Sequence, residues 1–179
     1  DRDRPGSPRG HRPGRGLTRL SAPRQGVTLP ALPAGQVAVL ATVGADGPVP
    51  IPVSAIHRVD GQRLLLALGR RRATLTRLRA EPRVGLSLSG PAFSVSAVGR
   101  ARVVADPLPG AAHVAAVLVQ VSAAWDARGA AAEVVAGIAW RWTAPDAADR
   151  HARVLHALSG VALADPRGGP SPRGSAGGG

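Results

Sequence analysis

Residues 69–84, GRRRATLTRLRAEPRV, set Arg70, Arg71 and Arg72 in a row and space Arg77, Arg79 and Arg83 behind them. Guanidinium groups so placed could grip a phosphate, because each can contact phosphate oxygens bidentately. They could also coat a nucleic acid, or keep the outer face of a helix solvated. Aromatic residues make up only 2% of the chain, too few for stacking platforms, and no zinc-finger spacing or recognition helix is present. No specific nucleic-acid partner is therefore expected, and a phosphate cradle stands against a solvated helix start.

Other chemistry has less support. With no cysteine, the chain has no disulfide, thiolate metal site or thiol nucleophile. His151 and His156 are five apart, on different faces of a helix, without an H-E-x-x-H partner, so no metal is expected. Ser54, Ser87, Ser94 and Ser96 fall on strands without a G-x-S-x-G turn, which leaves a hydrolase nucleophile no setting. Asp146 and Asp149 sit at a helix start and complement its dipole. Trp140 and Trp142 flank Arg141, so on a strand both rings point to one face as core or interface anchors, or one ring stacks on a ligand.

The elements that position these residues read as strands first. Val37 to Val43 is an apolar run, GADG at 44–47 is turn chemistry, and Val49 to Ile56 is the partner strand. Asp60-Gly61 turns into a third strand, Leu64 to Leu68. Arg71 to Ala80 follows as a helix with Leu75 and Leu78 on one face, stopped by Pro82. Val84 to Ser89 and Phe93 to Val104 are two more strands joined at Ser89-Gly90-Pro91. Asp106-Pro107 reads as an N-cap and first turn, predicting a helix to about residue 123. Val134 to Trp142 is expected as a last strand, and Thr143 with Pro145 and Asp146 as the start of a terminal helix ending near Gly160.

Pro48, Pro50 and Pro52 alternate in the second strand, so their missing N–H groups all lie on one edge. That edge cannot be fully paired. It should face a loop, a ligand or a partner subunit, unless the stretch is simply a proline-rich loop.

The 179 residues suit one domain. Residues 1–32, rich in Arg, Pro and Gly, and residues 161–179, rich in Gly, Pro and Ser, bury too little apolar surface to offset their ordering entropy and are expected as disordered tails flanking a 33–160 body. Of the formal charge of +12, the N-terminal tail carries +5, from seven arginines against Asp1 and Asp3, and the C-terminal tail +1. Half the basicity thus lies in the tails, which favours loose attraction to polyanions. The absence of Lys, Asn and Tyr beside abundant Ala, Gly and Pro suggests a GC-rich coding bias, which lowers the weight of the high pI. No apolar run approaches the ~18 residues of a membrane span, and the Arg- and Pro-rich start shows no secretory signal. The expected setting is cytoplasmic, with no membrane partner. With no Met in the chain, residue 1 is not an initiator.

The run AVLATVGADGPVPIPVSAIHRVDGQRLLLALGRRRATLTRLRAEPRVGLSLS, followed by FSVSAVGRARVVAD, resembles the pyridoxamine 5′-phosphate oxidase-like FMN-binding split-barrel flavoproteins over about residues 35 to 106. The resemblance rests on the xDG hairpin turn, the strand running into a basic helix start, the P-R-V strand entry and the G-R-A strand end. It implies a mainly β fold with peripheral helices, a six-stranded antiparallel split β-barrel that forms a homodimer with flavin between subunits. It further implies a phosphate site where strand three meets the helix, at Arg72, Ala73 and Thr74, with Arg70 and Arg71 as further contacts. The family's usual lysine is Thr74 here and its hydroxyl residue is Arg72. The same register puts Pro52, Val53 and Ser54 beside the flavin ring, Ala67 and Leu68 at the end of strand three, Ser94 at a polar position near the ring, and His57 where the oxidase has a substrate-phosphate contact. The implied cofactor is FMN, with a deazaflavin coenzyme as the alternative. The implied function is an oxidoreductase acting on a small molecule. A flavin-binding protein without turnover, or a dimeric scaffold with an Arg-rich arm for polyanions, remains open beside it.

Overall fold

The Ala45-Asp46 turn closes a hairpin between β1 (Ala38–Gly44) and β2 (Gly47–Val53) with Gly44 opposite Gly47. A two-residue turn makes that closing pair hydrogen-bonded, and the bonded positions then alternate along the ladder. Val49, Ile51 and Val53 direct their N–H groups toward β1, while the nitrogens of Pro48, Pro50 and Pro52, which carry no hydrogen, face the outer edge. The prolines therefore cost the ladder nothing, and the outer edge of β2 offers carbonyl oxygens without donors. β2 is indeed an edge strand, as the alternating prolines require.

The computed structural model describes residues 28–164, so the tail expectations for 1–27 and 165–179 lie outside the described residues. After β3 (Ile56–Arg58) and β4 (Arg63–Gly69) come α1 (Ala73–Ala80), β5 (Arg83–Gly90), β6 (Phe93–Ala105), β7 (Val114–Asp126) and α2 (Ala147–Ala164). The strands form one antiparallel sheet in the order β2-β1-β5-β6-β7-β4-β3. β2 and β3 occupy opposite edges, yet only Ser54 and Ala55 join them. In a flat sheet those edges would lie roughly 29 Å apart, whereas the link from Val53 to Ile56 reaches at most about 11 Å. The sheet must curl until its edges meet, which makes it a split barrel.

The barrel has seven strands where six were expected, because the run expected as one strand from Val49 to Ile56 breaks at Ser54-Ala55. Its first part, to Val53, pairs with β1, and after the break Ile56 opens a separate short strand, Ile56–Arg58, that pairs with β4.

Two layers of core follow from the period of two along the strands. Leu64 and Leu66 point into the barrel with Leu40, Leu88, Val117 and Val119, while Leu65 and Leu118 point outward under Val154 and Leu158 of α2. Leu75 and Leu78 of α1 close the barrel interior, and the Arg77 carbonyl accepts the Glu81 N–H at the helix end before Pro82. Leu29 is buried in the same core, and its N–H donates to the Gly61 carbonyl at 2.8 Å. The packed chain thus begins before residue 33, and α2 continues past 160 to Ala164.

Two expectations fail. The helix predicted from Asp106-Pro107 to about residue 123 is a tight turn, with Leu108 bridged to Ala111, followed by β7. Residues 114–119 are buried without a break because β7 lies between β6 and β4 with the barrel on one side and α2 on the other. A strand covered on both faces loses the alternation that would distinguish it from a helix. The strand expected at Val134 to Trp142 is not one. This stretch instead crosses the β5–β6 turn, where Val134 O accepts the Ala92 N–H at 2.9 Å. The terminal helix begins three or four residues later than Thr143, its first bond running from the Arg150 N–H to the Asp146 carbonyl at 3.0 Å.

The edge geometry makes a paired prediction. Pro50→Ala should leave the β1–β2 ladder intact and lower stability by no more than about 1 kcal/mol, through unfolded-state entropy. Val49→Pro should cost more, about 1–3 kcal/mol for the Val49 ladder bond and its stranded acceptor. Denaturant titration of the two variants reads this; equal losses would mean the strand is rotated from the orientation described.

Candidate functional site

Beyond Ile56–Arg58 the outer edge of β4 has no paired strand, and only the Ala67 N–H continues the ladder, to the Ala55 carbonyl at 2.9 Å. There the last turns of β2 and β4 diverge, and a cleft of ≈ 410 Å³ opens at the split. Ile51 to Ala55 form one wall, Ala67 to Gly69 the other, and Arg72 with Thr74 the end at α1. The proline-bearing edge of β2 cannot supply the donors that would zip this split closed.

Seven of the residues picked out in the sequence meet here: Pro52, Val53, Ser54, Ala67, Leu68, Arg72 and Thr74. Trp140 joins them at the rim. Ser54 is half-buried, and its hydroxyl has no partner among the described residues. The apolar walls and the single guanidinium at one end suit a ligand with a flat apolar body and an anionic terminus.

The helix start explains how Arg72 is held. Its N–H donates to the Gly69 carbonyl at 3.0 Å, and its carbonyl accepts from the Leu75 N–H at 3.0 Å, so it is the N-cap residue of α1. A Cβ on Gly69 would lie 3.1 Å from Cγ of Arg72, so the arginine stem crosses the glycine closely. No side chain caps this helix, and the Arg72 guanidinium has no hydrogen-bond or ion-pair partner among the described residues. Thr74 is buried, and its Oγ1 accepts from Nη2 of Arg77 at 3.2 Å. Nε of Arg77 donates to Oγ1 of Thr42 at 3.0 Å. A cation thus stands directly behind the Thr74 hydroxyl.

The rest of the arginine run goes elsewhere. Arg70 and Arg79, at opposite ends of α1, both hold Asp106, and Arg70 also donates to the Ala112 carbonyl at 3.3 Å. Hydrogen bonding from Arg70 is the largest influence on the Asp106 carboxyl and holds it below the ordinary carboxylate range; partial burial opposes this and Arg79 reinforces it. Arg71 projects without a partner among the described residues. Together Arg70, Arg71, Arg72, Arg79, Asp106, Ala112 and His113 line a second, wider basin that shares only Gly69 and Arg72 with the cleft. Ser94 is not brought to the cleft: it lies on β6 and its hydroxyl pairs with that of Ser89 at 2.9 Å. His57 pairs opposite Leu65 on β3 and lines neither cavity.

Trp140 and Trp142 lie in the crossing segment, where their rings touch each other at 5.3 Å, and Trp142 packs on His151 of α2 at 5.0 Å. Burial depresses the His151 pKa. Gly137 lets this segment cross, since a Cβ there would lie 1.9 Å from the Ser89 carbonyl oxygen. Val135, Ile138, Trp140 and Trp142 are all substantially exposed. Trp142, His113, Arg150 and His151 line a smaller pocket that adjoins the cleft through Ser54, Ala55 and Ala67. Sequence reasoning missed the Asp106 clamp and the support from Arg77, because both join residues about 30 positions apart. No group of three or more candidate metal ligands occurs among the described residues, and none of their helices is long and apolar enough to cross a membrane.

A family model described as pyridoxamine 5′-phosphate oxidase matches residues 29–152. Among curated proteins none matches the chain. Solved structures with a similar fold include HupZ of Group A Streptococcus, with 17% identity over 57% of this chain and 90% of that one and a TM-score of 0.46. An F420 reductase shows 19% identity over 51% and 90% of the two chains, with a TM-score of 0.46. A FAD-binding protein of Mesorhizobium loti shows 17% identity over 53% and 88%, with a TM-score of 0.43.

The Asp106 clamp predicts a pH response. A carboxyl with a depressed folded-state pKa contributes its stabilisation fully above the ordinary range and loses it as pH falls through the folded value. The side-chain carboxyl carbon of Asp106, followed by NMR, should titrate below the usual Asp midpoint, and Arg70→Ala should raise that midpoint more than Arg79→Ala. An ordinary midpoint in the wild type would show that the clamp does not form in solution.

Proposed function

Because the chain belongs to the pyridoxamine 5′-phosphate oxidase family, we propose that the cleft at the barrel split binds FMN and that the protein is a flavin-dependent oxidoreductase. The observation that carries this is the cleft itself, where three separate elements bring an apolar slot and an unpaired guanidinium together. Val53, Ala67 and Leu68 would bound the flavin ring, with the unpartnered Ser54 hydroxyl available to its polar edge. Arg72, the Thr74 hydroxyl and the uncapped N–H groups of α1 would hold the phosphate. Arg77 offsets the loss of the lysine by placing its charge behind Thr74. When bound, the flavin supplies the redox chemistry, and the protein's part is to orient it and exclude water.

A second copy of the chain completes this reading. Trp140 lines the cleft while remaining exposed, and Val135, Ile138 and Trp142 of the same segment are exposed as well. Aromatic anchors of this kind favour interface cores, so a homodimer covering the 135–142 segment would also roof the cleft. One observation favours a binding role without turnover: the residues lining the cleft include no carboxylate, histidine or other ordinary acid–base group. A deazaflavin with the same phosphate terminus would meet the same residues.

Three measurements test the proposal. The purified full-length protein should be yellow and release FMN on denaturation, whereas a deazaflavin spectrum would change the cofactor. Arg72→Ala should weaken FMN by about 1.5–3 kcal/mol, the worth of a hydrogen bond to a charged group, and leave riboflavin, which lacks the phosphate, unaffected. Gly69→Ala should act in the same direction by displacing the Arg72 stem, and Arg153→Ala on the outer face of α2 should change nothing. Equal FMN affinity for wild type and Arg72→Ala would remove the phosphate reading. Sedimentation as a monomer at micromolar concentration would remove the dimer.

A further inference from the structure

The structure divides the arginine triplet between two cavities. Arg72 lines both, whereas Arg70 and Arg71 line only the basin, whose ≈ 690 Å³ exceeds the cleft's volume. The basin's rim is rigidly framed. The Arg70 N–H donates to the His113 carbonyl at 3.2 Å, tying the turn after β4 to the turn before β7, and Asp106 fixes the guanidiniums of Arg70 and Arg79 against one wall. Four guanidiniums face this space with one carboxylate among them, and that carboxylate is engaged by two. A single phosphate at Arg72 would leave Arg71 and the remaining positive potential unanswered.

We propose that the basin is a second anion site, continuous with the first through Arg72, which takes a phosphate or carboxylate about one phosphoanhydride unit beyond the group held at Arg72. This rests on the reading of Arg72 as the first anion position. The second anion has two chemical sources: the next phosphate of the same ligand, as in a dinucleotide flavin, or the anionic group of a separate substrate seated beside the cofactor. Arg71 is the residue that distinguishes this arrangement from a single phosphate cradle, because it reaches the basin and not the cleft.

The test uses the full-length protein stripped of any bound ligand, with orthophosphate and pyrophosphate as calorimetric probes at fixed ionic strength. Pyrophosphate should bind at least about tenfold more tightly than orthophosphate, the gain expected from one added charge-assisted contact. Arg71→Ala should remove that preference while leaving orthophosphate binding in place, Arg72→Ala should weaken both probes, and Arg153→Ala should alter neither. Arg71 is exposed, so thermal melting and circular dichroism of the variant should match the wild type. Equal binding of the two probes, or a pyrophosphate preference that survives Arg71→Ala, overturns the second site. These results are independent of flavin: a protein that ignores FMN but shows the Arg71-dependent preference keeps the basin and loses the flavin reading, and the reverse pattern does the opposite. Once the preference is present, the source follows from two further titrations. Tighter binding of FAD than FMN, lost in Arg71→Ala, supports the same-ligand form, and Arg71-dependent binding of orthophosphate to the FMN-loaded protein supports the separate-substrate form. The absence of both overturns the continuity of the two sites.

Discussion

The short link at Ser54-Ala55 controls this molecule. It carries the chain from one edge of a seven-stranded sheet to the other, a distance that a flat sheet would make impossible. Curling satisfies the link, and the closure is incomplete because only three residues of β3 cover the edge of β4. The cleft is the part of that edge left over. The alternating prolines of β2 keep it open, since their side of the strand has no N–H to donate across the gap. The cleft thus follows from backbone hydrogen bonding before any side chain enters it.

Charge is then distributed by helix geometry. The arginines of residues 70–79 are close in sequence, but Arg70, Arg71 and Arg72 lie in the turn before α1 and only Arg77 and Arg79 within it, so they face different directions. Arg70 and Arg79 converge on Asp106 from the two helix ends, Arg77 turns inward to two threonine hydroxyls, and Arg71 and Arg72 stay open. Three of these five arginines are therefore structural, holding the helix to β1 and to the turn after β6. What remains is a small number of cations with a defined direction, a better basis for selectivity than a uniformly positive surface.

The apolar residues show a similar division of labour. β4 and β7 are buried on both faces, because the barrel interior covers one and α2 the other. The segment carrying Trp140 and Trp142 contributes little to either layer and leaves four large apolar side chains exposed, Trp140 among them at the cleft. Leu29 and Leu158 are buried almost completely while those four are exposed, and the other large exposed apolar side chains, Val43, Val98 and Leu163, are scattered singly over other elements.

Local signals were enough for the first hairpin, the strand into α1, α1 itself, the β5–β6 pair and the terminal helix, because turn residues, helix stops and period-two patterning act within a few residues. They were enough, too, for the open edge of β2, since proline's missing donor is a property of the residue. The family resemblance pointed to Pro52, Val53, Ser54, Ala67, Leu68, Arg72 and Thr74 among others, and the tertiary structure brings these seven to line one cleft. It was the tertiary structure that made β7 a strand, because the run from Val114 to Val119 has no alternation and burial on both faces arises only once β6, β4 and α2 surround it. It likewise decided that Val134 to Trp142 would cross the β5–β6 turn rather than pair into the sheet, a placement fixed by contacts with residues some 40 positions earlier in the chain. The partners of Arg70, Arg77 and Arg79 were beyond local reading for the same reason: Asp106 and Thr42 lie some 30 residues away, and only the closing of the barrel brings them within hydrogen-bonding distance.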